Sequence, residues 1–129
     1  MSLTALNLPP EALKKYRPLE AIRRRKAKMS AELSKRRRLA NVAALKAAKL
    51  LKSEFGATDV ILFGSLARRG DFTLFSDIDL ATRGIPSDSF YAAVDAVLGL
   101  NAEFKIDLAE LETCPPALLK NIEKDGKPL

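Results

Sequence analysis

From Leu19 to Phe55 the chain contains neither proline nor glycine, and the stretch ends at Gly56. Proline breaks a helix interior and glycine is favoured just past a helix C-terminus, so this spacing predicts one long helix closed by Gly56. Ahead of it, Pro9-Pro10 opens a short helical stretch, EALKKY, which Arg17-Pro18 interrupts, because a residue before proline avoids the helical region. Along the long helix Ile22, Met29, Leu33, Ala40, Ala44, Ala47 and Leu51 recur at helical spacing and form one apolar stripe. The stripe is thin and alanine-rich over the first two-thirds, where the runs Arg23–Arg25 and Arg36–Arg38 lie. The expectation is that Val42 to Leu51 packs on a sheet, while the earlier turns are exposed or covered by something else.

Beyond Gly56 the period changes. Asp59-Val-Ile-Leu-Phe63 is a short β-rich apolar run before Gly64 and predicts a strand. Ile78 to Thr82 predicts a second, ended by Arg83-Gly84-Ile85-Pro86. Ser87 is placed as the N-cap of a helix, DSFYAAVDAVLGL, with Phe90, Val94, Val97 and Leu98 on one face. Glu103 to Ala109 alternates and predicts a third strand, with Phe104, Ile106 and Leu108 on one side and Lys105 and Asp107 on the other. Pro115 and Pro116 open a last helix, PALLKNIEK, expected to fray into Asp-Gly-Lys-Pro-Leu. The fold class is α+β: a small mixed sheet flanked by helices, with a long basic N-terminal helix. The expected division is a basic helical extension over residues 1–41 and a catalytic domain over 42–129.

The charge is also divided, with its boundary further along the chain. Residues 1–54 hold 15 Lys and Arg against 4 Asp and Glu, and residues 55–129 hold 7 against 12. The halves therefore have different tasks. No apolar run is long enough for a membrane span, and the first residues lack a secretory layout, which predicts a cytoplasmic protein without membrane attachment. The chain has no histidine and a single cysteine, Cys114. That removes His-ligated zinc, the Ser-His and Cys-His nucleophile pairs and an internal disulfide, and leaves carboxylates to carry the chemistry, with Lys or Tyr as distant alternatives.

The carboxylates that stand out are Asp77 and Asp79. Side chains at i and i+2 of a strand leave from the same face, so the two project together and repel unless a cation sits between them. Oxygen donors without His or Cys favour magnesium or manganese. Asp107, flanked by apolar Ile106 and Leu108, supplies a third donor if the third strand lies beside the second. Three carboxylates could hold two magnesium ions, a set suited to in-line displacement at phosphorus. Gly64-Ser65 follows a strand and precedes LARR, a stretch able to form one or two helical turns. Backbone N–H groups there, with the Ser65 hydroxyl, form an anion cradle for phosphates. Arg68 and Arg69 follow and could neutralise a leaving phosphate.

Gly64-Ser65, Arg69-Gly70, Ser76-Asp77-Ile78-Asp79-Leu80 and Ile106-Asp107-Leu108 together resemble the DNA polymerase β-like nucleotidyltransferase superfamily. Within it the chain is similar to the minimal nucleotidyltransferases, small proteins often paired with a HEPN-domain toxin, over about residues 42–127. The resemblance implies ATP as substrate, magnesium, and transfer of AMP to a hydroxyl, with a tyrosine of the partner toxin as acceptor. It implies that Asp77 and Asp79 ligate both metals, that Asp107 binds the catalytic metal and helps deprotonate the acceptor, and that Gly64 and Ser65 hold the triphosphate, with Arg68, Arg69 and Ser76 beside the nucleotide. The loop from Ser65 to Asp77 is one residue longer than the commonest family spacing, which leaves open which arginine faces phosphate. The basic helix is no part of the family signature.

Two other readings stand beside this one. A non-catalytic antitoxin would mask its partner and work without nucleotide. A transferase acting on RNA or a small molecule would give the basic segment 22–38 to nucleic acid, although no aromatic residue lies between Ala21 and Lys52 to stack on bases. The oligomeric state is left open.

Overall fold

The computed structural model describes residues 18–68 and 70–129, so the predicted EALKKY helix and Arg69 lie outside the described residues. The elements are α1 (Pro18–Phe55), β1 (Asp59–Phe63), β2 (Ile78–Arg83), a 3-10 turn (Ser87–Ser89), α2 (Phe90–Leu98), β3 (Ile106–Glu110), α3 (Pro116–Asp125) and β4 (Lys127–Pro128). Two compact units divide the chain, residues 1–32 and 33–129. In the described part of the first, Leu19, Ile22 and Met29 are exposed, as are Arg23, Arg24, Arg25, Lys26 and Lys28.

In the second unit, α1 runs to Gly56, where a left-handed glycine at φ 75° ends it and the Ala57 N–H returns to the Leu51 carbonyl at 3.1 Å. The helix face turned to the core is made of Ala40, Ala43, Ala44, Ala47, Ala48 and Leu51. Small side chains let the helix backbone approach the sheet closely, and each residue contributes little apolar area by itself.

The sheet order is β3-β2-β1-β4. β1 and β2 pair antiparallel, with Phe63 opposite Asp79, and β2 and β3 pair parallel, with Asp79 opposite Asp107. The sheet is therefore mixed, as expected. Strand alternation sends Val60, Leu62, Ile78, Leu80 and Ile106 to the face covered by α1 and α2, with Val97 and Phe104. Phe63 and Ala81 go to the other face, with Ile122 of α3 and with Leu111. Asp79 and Asp107 share the alternation of Ala81 and Ala109 and so emerge on the α3 side.

Four local expectations are corrected. The third strand begins at Ile106 and not at Glu103, because the Asn101 side chain accepts from the Glu103 N–H at 2.7 Å and holds the lead-in as a turn. Ser87 starts a 3-10 turn closed by the Ser89 N–H on the Pro86 carbonyl at 2.9 Å, and makes no side-chain cap. Over the described part of LARR, residues 66–68, no regular helix forms: the Gly64 carbonyl accepts from both the Ala67 and Arg68 N–H groups at 3.2 Å, closing a single turn. The C-terminal tail does not fray. Lys127 and Pro128 pair with Leu62 and Ile61 as β4, and the Leu129 N–H donates to the Val60 carbonyl at 2.8 Å. Gly126 permits this return, since a Cβ there would overlap the Ile122 carbonyl and the Ile61 side chain.

Candidate active site

β1 ends at Phe63, and the chain turns at Gly64 with φ 73°, a conformation L side chains rarely adopt. The reason for glycine is also spatial. A Cβ at Gly64 would overlap Oδ2 of Asp79, so the carboxylate rests against the glycine Cα. The cross-strand pairing of Phe63 with Asp79 brings the two together.

Asp107 is in register with Asp79 on the neighbouring strand, and Asp77 lies two residues before it. Burial, then the charge of Asp107, then that of Asp77 push the Asp79 carboxyl from 3.8 up to about 6, against the opposing pull of Arg68 and Lys105. The first question raised by the sequence, whether the third strand lies beside the second, is thus answered by the register. Among the described residues, however, no three acidic or thiol side chains are arranged to hold a metal ion on their own. Asp107 points its Oδ1 to Lys105 Nζ at 3.7 Å, and its side chain is about half exposed.

The other predicted residues are distributed as follows. Gly64 and Ser65 are half-buried in the turn. Arg68 is engaged by acids, with Nε 3.0 Å from Asp71 and Nη1 3.9 Å from Asp125 at the end of α3. Ser76 supports the loop before β2: its Oγ accepts from the Thr73 N–H at 2.9 Å and lies 3.1 Å from Thr73 Oγ1. Asp71, Asp125 and Lys105 were missed as members of this cluster. Lys105 was legible in principle, two residues before Asp107 and on the same side of the sequence alternation, whereas Asp125 reaches Arg68 only through the tertiary fold. A cavity of about 430 Å³ lined by Leu45, Ala48, Lys49, Lys52, Ser53 and Leu129 contains none of the acidic residues and belongs to the opposite, β4 edge of the sheet.

The donor set fits a hard divalent cation. It is all oxygen, and the upward shift of Asp79 is what a cation between the carboxylates would relieve. Magnesium keeps several waters and takes one or two carboxylates together with substrate phosphates, so it needs no complete protein cage. The arrangement as a whole, a glycine turn packed on one aspartate of a carboxylate cluster, can hold a phosphate chain against a metal.

Comparison with known proteins bears on the family and the fold. The family model described as polymerase beta nucleotidyltransferase matches residues 45–129. The chain belongs to that family and is a nucleotidyltransferase. No curated protein matches it. Among solved structures, a chain from a mutant of the toxin–antitoxin MntA-HpeT superposes with a TM-score of 0.56 at 20% identity, covering 66% of this chain and 70% of that one. A toxin–antitoxin crystal structure with AMP-PNP gives 0.56 at 22% identity, again with 66% and 70% covered. A tri-AMPylated Shewanella oneidensis HEPN toxin in complex with MNT antitoxin gives 0.53 at 20% identity, with 69% and 70% covered. At these identities the likeness is one of fold.

Proposed function

We propose that this chain transfers AMP from ATP to a hydroxyl of a partner protein, a tyrosine of a HEPN-type toxin, and so acts as an antitoxin. The observation that carries the reading is the contact of Asp79 with the Gly64 turn, with Asp107 in register beside it. The AMPylated toxin and the AMP-PNP complex among the structural relatives support AMP as the group and ATP as the donor.

In this reading Asp77 and Asp79, with Asp107, would hold two magnesium ions, which when bound would supply positive charge against the phosphates and the developing charge of the displacement. Gly64 and Ser65 bind the triphosphate through backbone N–H groups and the Ser65 hydroxyl. Arg68, with Arg69 next to it, draws the departing pyrophosphate, exchanging its contacts with Asp71 and Asp125 for phosphate oxygens. Ser76 keeps the loop before Asp77 in place through Thr73. Asp107 accepts the proton of the attacking hydroxyl at a carboxylate oxygen, a role open to it because its side chain is exposed at the sheet edge. The hydroxyl oxygen bonds to the α-phosphorus, the bond to the bridging oxygen breaks, and pyrophosphate leaves. Residues 42–129 form the catalytic domain and residues 1–41 the extension. The reaction is assigned to the cytoplasm.

The test is magnesium-dependent transfer from α-labelled ATP to a HEPN-type toxin encoded beside this chain, compared with the Asp77→Ala, Asp79→Ala double variant. One labelled toxin band, absent with the variant, is expected. Neutralisation of the toxin with no label, and equally by the variant, would replace catalysis with masking. Label in RNA would move the acceptor.

A further inference from the structure

The family match begins at residue 45, yet two residues before it reach the loops that flank the site. Arg37 Nη2 donates to the Leu66 carbonyl at 3.2 Å, in the middle of the turn that Gly64 opens. Arg36 lies with its guanidinium carbon 4.4 Å from the centre of the Phe104 ring, and its Nη2 approaches the Glu103 carbonyl at 3.5 Å. Phe104 and Glu103 are in the lead-in to β3, just before Asp107. Neighbours on a helix diverge by about 100°, so adjacent arginines on α1 reach two different loops. Both contacts lie within the unit 33–129.

We infer that Arg36 and Arg37 form a positioning clasp for the active site: Arg37 fixes the phosphate-binding turn and Arg36 fixes the entry to the strand that carries Asp107. The inference rests on the reading of Gly64–Leu66 as the phosphate turn. The Leu66 carbonyl shares its peptide unit with the Ala67 N–H, which closes the turn on the Gly64 carbonyl, so a bond to it holds the closed form of the turn that carries Gly64 and Ser65. Arg68, the arginine nearest in sequence, is held instead by Asp71 and Asp125, and among the described residues Arg37 is the arginine that donates to this turn. Arg36 Nε is buried and has no hydrogen-bond partner, which is a cost to the fold rather than a source of stability. The basic run Arg36–Arg38 thereby separates into two inward arginines and the exposed Arg38.

The experiment compares the unsubstituted protein with Arg37→Met, Arg37→Lys and, as a control, the exposed Arg38→Met. Amide hydrogen exchange at Ala67 and Arg68 reads the turn, and transfer from α-labelled ATP reads the reaction. In Arg37→Met we expect exchange at both amides to accelerate and kcat/KM to fall by about tenfold or more, the range for residues that orient a reactive group, with the rise in KM for ATP the larger part. Arg37→Lys recovers part of both, and Arg38→Met changes neither. Unaltered exchange in Arg37→Met overturns the clasp, as does faster exchange with transfer at the unsubstituted rate. If the unsubstituted protein transfers nothing, the reaction proposed above fails, and binding of Mg-AMP-PNP then decides the clasp by itself. Weaker binding together with faster exchange upholds it, and equal binding overturns it.

Discussion

Asp79 is held where its charge is least favoured, part-buried and between two other carboxylates. Its native pKa of about 6 lies above the ordinary 3.8, so the folded protein binds this proton more tightly than the unfolded chain does. Stability therefore falls as pH rises from about 4 through about 6, and the whole loss is present above that. The expected result is that Asp79→Asn, without bound cation, melts a few degrees higher than the unsubstituted protein at pH 8 and at a similar temperature at pH 4, while transfer is lost. Magnesium should raise the melting temperature of the unsubstituted protein at pH 8 and leave that of Asp79→Asn nearly unchanged, by mass action on the native state. Gly64→Ala meets both a positive φ and the Asp79 carboxylate. It should cost more than about 1 kcal/mol in denaturant unfolding and abolish transfer. At this scale the sequence is informative about identity and poor about surroundings. Two aspartates one residue apart, a glycine after a strand and a strand aspartate between apolar neighbours can all be read directly. The packing of Asp79 on Gly64, and the engagement of Arg68 by Asp125, depend on residues distant in sequence.

At the scale of elements, α1 packs through alanine. A larger side chain has no room on that face, and Ala47→Leu should destabilise by about 1–3 kcal/mol, read from chemical denaturation, without changing the residues of the site. Val42 and Leu45, which are exposed, should tolerate polar replacement. β1 was legible to the residue, because an uninterrupted β-branched and aromatic run stands between two turn signals. β3 was legible in kind but not in its start, since the alternation of Phe104, Lys105 and Ile106 continues through an Asn101 turn that breaks the pairing. β4 could not be read at all: two residues, one of them proline, carry no periodicity, and only their fit beside Ile61 makes them a strand.

For the whole molecule, the boundary of the family match and the boundary of the compact unit differ. Residues 45–129 carry the family signature, whereas the unit starts at Leu33 and includes the buried Ala40, Ala43 and Ala44. A chain of residues 33–129 should fold cooperatively with a melting temperature close to that of the full chain. A chain of residues 45–129 should melt far lower or not cooperatively, as circular dichroism on heating would report. Composition foretold the basic and acidic halves, but not that two arginines of the basic half turn inward. The sheet has a further consequence. Among the described residues its outer strands are β3, which carries Asp107 and Glu110, and β4, two residues long and ending in Pro128. Both are poor templates for a visiting strand, one through charge and the other through a missing N–H and lack of length. The protein is thereby shielded from the edge-to-edge aggregation that threatens small open sheets, and it should remain dispersed at concentrations where a longer, uncharged border would seed fibres.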